Sequence, residues 1–425
     1  MDERFEILKR YNLWGENAFD LGYVRREYTE KLYKSTGNRL IKVLVGQRRV
    51  GKSYLLRQIA MHLVENGVDK KNTFFVNREL RDFGFLENEA DLDALFKLYM
   101  KEVKPKGKIY LFIDDIQNIK DWERFVNSYS QDYTQDCEVL ISGSNSKMLS
   151  GELATLLSGR YIKFKIFPFS YDEYLGISGK ERERESYIDY INIGGMPEMY
   201  HLTTPEIKDN YITSLRDTIL LRDIITRYKI SDANLLEDIF VYVCNNASNM
   251  LSINNVVNYF KSKGRKCSYE TVAAYLKYIK DAFLIYRVDR FRLCGKSVVA
   301  GIGKYYVNDL AFRNFLYKGF NYGTGYQLEN LIYLDLLRAG FAVYVGDIKG
   351  KEVDFVASHN DRIVYIQSTY MLTDEATTRR EYAPLEAIND SFEKYVVSMD
   401  DFTKPIYKGI RHIQAWNVRD VLKRE

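Results

Sequence analysis

Leu40-Ile41-Lys42-Val43-Leu44-Val45-Gly46-Gln47-Arg48-Arg49-Val50-Gly51-Lys52-Ser53 is the stretch on which the fold turns. It opens as a short apolar run rich in β-branched residues, which predicts a strand. It closes on the pattern G-x-x-x-x-G-K-[ST] between Gly46 and Ser53. Beyond it Leu55, Leu56, Ile59, Ala60 and Leu63 recur at helical spacing and stop at Gly67, a natural helix end. Strand, glycine loop and helix in this order form a cradle for phosphate. Backbone N–H groups at a helix N-terminus wrap phosphate oxygens, the Lys52 ammonium faces the β- and γ-phosphates, and the Ser53 hydroxyl completes a Mg²⁺ shell. The candidate nucleotide-contacting residues are Gly46, Arg48, Arg49, Val50, Gly51, Lys52, Ser53 and the adjoining Tyr54. Tyr23 to Arg26 are candidates to flank the base.

About sixty residues on, Ile109-Tyr110-Leu111-Phe112-Ile113 runs into Asp114-Asp115. A continuous apolar run is the mark of a parallel strand buried on both faces. Carboxylates at its C-terminal end sit where open α/β sheets take their ligands. Asp114 is the candidate Mg²⁺ partner and Asp115 the candidate base that polarises an attacking water. Further strands are expected over 73–76, 138–142 and 161–167, alternating with helices, so the sheet is parallel and the class α/β. Ser144 and Asn145, after the fourth strand, are candidate sensors of the γ-phosphate. Met148 to Leu157 reads as a helix. Arg160, just before the next strand, is a candidate for stabilising transition-state charge, in its own protomer or a neighbour.

The 425-residue length argues for several domains, and 46% hydrophobic with 28% charged residues is ordinary for a folded chain. The longest apolar candidate, Leu331 to Val345, is broken by Asp335 and Arg338, and the first ten residues carry Asp2, Glu3 and Glu6. Neither a membrane span nor a secretory signal is expected, and the expected address is the cytoplasm. Cys137, Cys244, Cys267 and Cys294 are too far apart for a CxxC pair, so reduced thiols without structural zinc are expected. A formal net charge of +4 means that attraction to nucleic acid would have to be local.

Such a local patch is present. Residues 1–38 read as an N-terminal helical segment, 39–168 as the nucleotide-binding core and 169–230 as a helical lid. Over 231–292, three apolar-striped helices followed by Phe283 to Phe291 as a strand suggest a winged helix-turn-helix. Between Asn258 and Arg292 nine basic residues face three acidic ones, a local net of 9 − 3 = +6. Lys261, Lys263, Arg265, Lys266 and Lys277 are the candidate phosphate contacts for double-stranded DNA; a protein-packing role remains the alternative. From 293 to 425 strands and helices alternate again. Glu329, Asp354 and Gln367 follow the order of a restriction-nuclease-like metal site. Two residues after Gln367, where the lysine of such a site belongs, stands Thr369. A degenerate site without its cation is therefore expected, with Lys349 or Lys351 as conceivable substitutes.

Taken together, the Gly46–Ser53 loop, Asp115-Ile116-Gln117, Ser142-Gly143-Ser144 and Leu157-Ser158-Gly159-Arg160 resemble the AAA-type ATP-binding proteins that carry a C-terminal DUF4143 region. Gly194-Gly195-Met196-Pro197, Leu220-Leu221-Arg222-Asp223-Ile224, Gln327-Leu328-Glu329-Asn330, Glu352-Val353-Asp354-Phe355 and Tyr365-Ile366-Gln367 extend the resemblance over nearly the whole chain. It implies a P-loop parallel sheet with helical lid, winged helix and restriction-nuclease-like α/β domain, using ATP/ADP and Mg²⁺. One departure is Asp115, where such proteins carry Glu; a base shorter by one methylene favours binding over fast turnover. The expected function is a Mg²⁺-ATP-binding switch and slow ATPase, in which nucleotide state moves the lid and winged helix against the C-terminal domain. A protein partner or a homo-oligomer is compatible with this. The alternatives are an ATP-controlled DNA nuclease and a partner-binding module that holds nucleotide with negligible turnover.

Overall fold

Burial on both faces dictates the first sheet. Strands β1 (Ile41–Val45), β2 (Thr73–Asn77), β3 (Ile109–Asp114), β4 (Cys137–Gly143) and β5 (Tyr161–Lys165) are all parallel, in the order β2-β3-β4-β1-β5. The computed structural model describes residues 2–15, 18–144, 155, 157, 159–295, 297–316 and 324–423. The chain divides into two units, 1–166 and 167–425.

In the first unit, β1, β3 and β4 are buried along their whole length. Lys42, the one charge in β1, is buried against Glu138 of β4, and Lys108 meets the same carboxylate at 2.7 Å. Helices α1 (Glu3–Arg10), α2 (Arg26–Lys34), α3 (Lys52–Glu65), α4 (Glu89–Val103) and α5 (Trp122–Gln131) also belong to this unit. Gly67, two residues beyond α3, has φ +97°, a conformation that favours glycine. The chain between α1 and α2 covers the open edge of the sheet. The Asn12 amide accepts from Phe75 N at 2.7 Å and donates to Phe75 O at 2.9 Å, and the Trp14 indole donates to Thr73 O at 3.0 Å. Edge groups of β2 that would otherwise template another strand are thereby satisfied.

The second unit begins with α6 (Tyr171–Ser178), α7 (Arg184–Ile193) and α8 (Pro205–Thr218). A capping box between Ser170 and Glu173 starts α6. The Gly194-Gly195 pair is clasped by Asp309: Gly195 N donates to Asp309 Oδ2 at 2.7 Å, and a Cβ on Gly194 would lie 2.2 Å from Asp309 Oδ1. The Leu220–Ile224 motif lies in a π-helical turn, Ile219–Ile225. Helices α9 (Ala233–Asn245), α10 (Ile253–Ser262) and α11 (Tyr269–Asp281) follow, with the short strand β6 (Met250–Ser252) before α10.

The hairpin after α11, β7 (Ile285–Arg292) and β8 (Ser297–Val307), belongs to an eight-stranded mixed sheet. Its other members are β6, β9 (Ala342–Ile348), β10 (Lys351–His359), β11 (Arg362–Ser368), β12 (Glu393–Ser398) and β13 (Ile410–Gln414), in the order β13-β12-β11-β10-β9-β7-β8-β6. Strand β7 pairs antiparallel with β8 and parallel with β9, through Arg290↔Val345 to Arg292↔Asp347. The strands that accompany the helical trio, β6 and β7, thus share one hydrogen-bonded sheet with the C-terminal strands across position 292. A motion of 231–292 against 293–425 would have to break that ladder, so this part of the expected switch is corrected. Strands β12 and β13 are additions to the elements expected from sequence. Helices α12 (Leu310–Leu316), α13 (Thr324–Arg338), α14 (Glu375–Glu386) and α15 (Val418–Leu422) complete the unit. Among the described residues all four cysteines are free, and no helix is long and apolar enough to cross a membrane.

Candidate functional site

The loop from Gly46 to Ser53 joins β1 to α3. Gly46 has no room for a side chain, since a Cβ there would lie 2.3 Å from Ile166 O. Gly51 caps α3 with φ +93°, and Arg49 also takes positive φ, +68°. Positive φ in a loop that runs into a helix N-terminus is the kind of backbone that binds anions through its N–H groups. Lys52 is buried, and its ammonium donates to Gly46 O at 3.0 Å and Gln47 O at 2.9 Å. Arg48 Nη1 meets Glu79 Oε1 at 2.5 Å.

Ahead of α2, the chain is pinned to this loop. Arg25 Nη1 donates to Val50 O at 3.0 Å, and Gln58 of α3 donates to Leu21 O at 2.7 Å and Tyr23 O at 2.9 Å. Tyr54 donates to Asp20 Oδ2 at 3.3 Å, and the Arg57 guanidinium lies 4.1 Å from its ring centroid.

Parallel strands bring Asp114 and Asp115 to the same edge. Asp114 accepts from the Ser142 hydroxyl and from Asn77 Nδ2 at 3.0 Å. Burial pushes its carboxyl up, opposed by the hydroxyls of Ser142 and Ser53 and by Lys52. Ser53 and Asp114 therefore meet, as a magnesium-holding pair requires. Asp115 has φ +52°; its N–H donates to Ser142 Oγ at 3.1 Å and its Oδ1 accepts from Gln117 Nε2 at 2.8 Å. Burial, and then the Asp114 charge, push the Asp115 carboxyl up to about 6.

Ser144 is buried beside β4, whereas Asn145 and most of the helix expected over 148–157 lie outside the described residues. Arg160 stands elsewhere. Its carbonyl accepts from Ile41 N at 3.0 Å, and Tyr161 pairs with Ile41 at the start of β1. The phosphate loop leaves the other end of β1, beyond Val45, some ~13 Å away at ~3.3 Å per residue. Arg160 therefore does not reach its own protomer's phosphate loop, which corrects one of the two roles considered for it. Asn77 and Glu79 are site residues that the sequence reading did not single out, and Arg25, Gln117 and Ser142 entered it only within longer stretches, without the contacts they make here.

A family model described as "AAA domain" matches residues 38–175, and a second, "Domain of unknown function (DUF8612)", matches 184–322. An uncharacterized protein of Haemophilus influenzae is 30% identical over 395 residues, covering 92% of this chain and 96% of its own. The chain belongs to the AAA-type P-loop ATPases. The uncharacterized protein MJ1544 of Methanocaldococcus jannaschii is 32% identical over 365 residues, covering 82% of this AAA chain and 79% of its own. Among solved structures, the Walker-type ATPase PABY2304 of Pyrococcus abyssi is 16% identical with a TM-score of 0.45, covering 69% of this chain and 96% of its own. Of the region expected as DUF4143, 293–425, the DUF8612 model reaches residues 293–322.

In the second unit of this AAA protein, Lys261, Lys263, Lys266 and Lys277 are exposed. Arg265 is engaged by Asp238 at 2.8 Å and Asp232 at 3.8 Å. Ser268 caps α11, accepting from Thr271 N at 3.1 Å. An open hollow of about 610 Å³ runs between Lys261, Lys266, Ser268 and Thr271.

Glu329 of α13 and Asp354 of β10 do come together, but around a cation. Lys304 of β8, only 4% exposed, lies 2.7 Å from Glu329, 2.7 Å from Glu352 and 3.7 Å from Asp354. The expectation of a missing cation, with Lys349 or Lys351 as substitutes, is corrected: both are exposed, and Lys304 supplies the charge from another strand. Gln367 bridges instead of ligating, accepting from Asp354 N at 3.3 Å and donating to Glu381 at 3.1 Å. Tyr306 donates to Glu329 at 2.7 Å, and Ser368 N and Oγ each donate to Asp354 at 2.8 Å. Burial and then Asp354 push the Glu329 carboxyl up, with Lys304 and Tyr306 opposing. Among the described residues no group of three His, Cys, Asp or Glu side chains is disposed to hold a metal.

Proposed function

We propose that the chain is a Mg²⁺-dependent ATP-binding protein that hydrolyses ATP slowly and acts as a nucleotide-driven switch on double-stranded DNA. The observation that carries this reading is the convergence of Lys52, Ser53, Asp114 and Asp115 at one edge of β1, β3 and β4. Ser53 and Asp114 would hold magnesium, which supplies charge neutralisation at the β- and γ-phosphates. Lys52 exchanges the carbonyls of Gly46 and Gln47 for phosphate oxygens. Asp115, ionised above about pH 6, accepts the proton of the attacking water, and Gln117 fixes its orientation. Gln117 Oε1 is buried without a partner, an acceptor in hand for that water. Tyr23 to Arg26, tied to the loop through Arg25 and Gln58, flank the base. A second copy of the chain would be needed for Arg160 to contact phosphate.

Exposed lysines 261, 263, 266 and 277 around the capped start of α11 support the DNA partner. ATP turnover with and without double-stranded DNA, at low and high salt, tests the reading. Stimulation by DNA that salt abolishes, and that Lys261→Ala/Lys266→Ala loses, is expected; stimulation indifferent to both would contradict DNA contact through this surface. A second reading, a module that holds nucleotide without turning it over, is favoured by the short reach of Asp115 and is met by bound nucleotide with no phosphate release. The nuclease reading is set aside, because Lys304, Tyr306 and Ser368 already engage the carboxylates that a catalytic metal would need.

A further inference from the structure

Arg48 belongs to the phosphate loop, yet its guanidinium is held by a carboxylate from another element. Glu79 stands two residues beyond β2, and its Oε1 lies 2.5 Å from Arg48 Nη1. The two side chains differ in exposure, 9% for Arg48 and 40% for Glu79. Glu79 is itself fixed to the site: its N–H donates to Asn77 Oδ1 at 2.8 Å, and Asn77 Nδ2 donates to Asp114. The charge of Glu79 also acts on both Asp114 and Asp115. The phosphate loop thus sets two buried cations, Lys52 and Arg48, near three carboxylates, while its third cation, Arg49, is exposed.

A polyphosphate entering this loop accepts the same paired N–H bonds from a guanidinium that a carboxylate accepts, but carries several charges where Glu79 carries one. Leaving a partly exposed carboxylate to water costs little, because solvent screens and solvates it. We propose that Glu79 is a positioning residue that shares Arg48 with the nucleotide, releasing it to the phosphates on binding, so that Arg48 is the second phosphate-binding cation of the site. This rests on the nucleotide reading above. Glu79 thereby sets the affinity of the loop: it competes for Arg48 when the loop is free and steps aside as phosphate charge arrives.

The test is a calorimetric cycle with Mg-ATP and Mg-ADP on the full chain and on Glu79→Gln, Arg48→Gln and the double variant, with thermal denaturation as the check on folding. Glu79→Gln should tighten ATP by roughly 2- to 5-fold, the worth of an exposed ion pair. Arg48→Gln should weaken it by roughly 10- to 100-fold, the worth of a charge-assisted hydrogen bond. In the double variant the Glu79 effect should vanish, leaving the affinity of Arg48→Gln, since the two residues act as one pair. Glu79→Asp, which keeps the charge, should stay near wild type. Unchanged or weaker ATP binding in Glu79→Gln overturns the proposal. So does equal tightening with and without Arg48, which would assign the effect to the Glu79 charge alone. A wild-type chain that takes up neither nucleotide would overturn the underlying reading as well, and is seen before any variant is compared.

Discussion

Asn77 Nδ2 donates to Asp114 Oδ2 across 3.0 Å, joining the C-terminal ends of β2 and β3 where the two residues are in register. A hydrogen bond to the charged form of a carboxylate favours it, so this donor acts with Ser142, Ser53 and Lys52 against the burial that pushes the Asp114 carboxyl up, and it holds the carboxylate facing Ser53. Removing the donor should loosen that aim. Asn77→Ala should raise the Mg²⁺ concentration for half-maximal phosphate release by about tenfold, the usual cost of losing a residue behind a metal ligand. A magnesium titration of turnover measures it, and an unchanged midpoint would show that Asn77 is only a strand-end contact.

The acid limb of turnover follows from Asp115, whose carboxyl burial and Asp114 push up to about 6. A base works when deprotonated, so kcat/KM should fall as pH drops through about 6, and Asp115→Asn should be slow at every pH. The same shift has a stability sign. The folded carboxyl holds its proton to higher pH than the unfolded one, so this group costs stability as pH rises from the ordinary Asp range to about 6. A pH–rate profile with no acid limb near 6 would remove Asp115 from the role of base.

Reach is the other property of Asp115. Asp115→Glu adds the methylene that AAA-type relatives carry in the resembled motif and should raise the rate of phosphate release by about tenfold, a modest share of what a placed general base supplies. A slower Glu variant would show that the tie to Gln117, and not length, sets the rate.

In the second unit, Lys304 neutralises a cluster that would otherwise be a buried excess of negative charge. Lys304→Met should cost about 3–5 kcal/mol of stability in urea denaturation, the typical penalty for removing one partner of a buried ion pair. Adding Glu329→Gln to it should recover part of that loss. Neither wild type nor variant should cleave plasmid DNA with Mg²⁺ or Mn²⁺; cleavage by wild type that Asp354→Ala abolishes would revive the nuclease reading.

The nucleotide-binding part was legible because its information is local. An apolar strand, a glycine loop and a helical stripe are contiguous from Leu40 to Leu63, and Ile109–Asp115 repeats the strand signal with its carboxylates attached. The same-protomer role of Arg160 was misread although the sequence held the correction: in a parallel sheet, a residue before a strand and a residue after one lie at opposite edges. Lys304 escaped because the missing lysine was sought at a fixed spacing from Gln367, whereas the sheet delivers it from β8. Its signal was a lysine inside the otherwise apolar Lys304-Tyr305-Tyr306-Val307. Glu79 and Asn77 carry no motif of their own; only the strand register that sets β2 beside β3 brings them to the site. Position 292 looked like a boundary because helices give way to strands there, yet β7 hydrogen-bonds forward to β9 as well as to β8.

The central claim is that the Gly46–Ser53 loop grips a polyphosphate with Lys52 at its centre. Titrating Mg-ATP and Mg-ADP calorimetrically into the wild-type chain and into Lys52→Ala tests it most directly. Saturable one-to-one uptake by wild type, lost in a Lys52→Ala chain that still melts cooperatively, is the expected result; no heat of binding from wild type, or equal uptake by both, would contradict it.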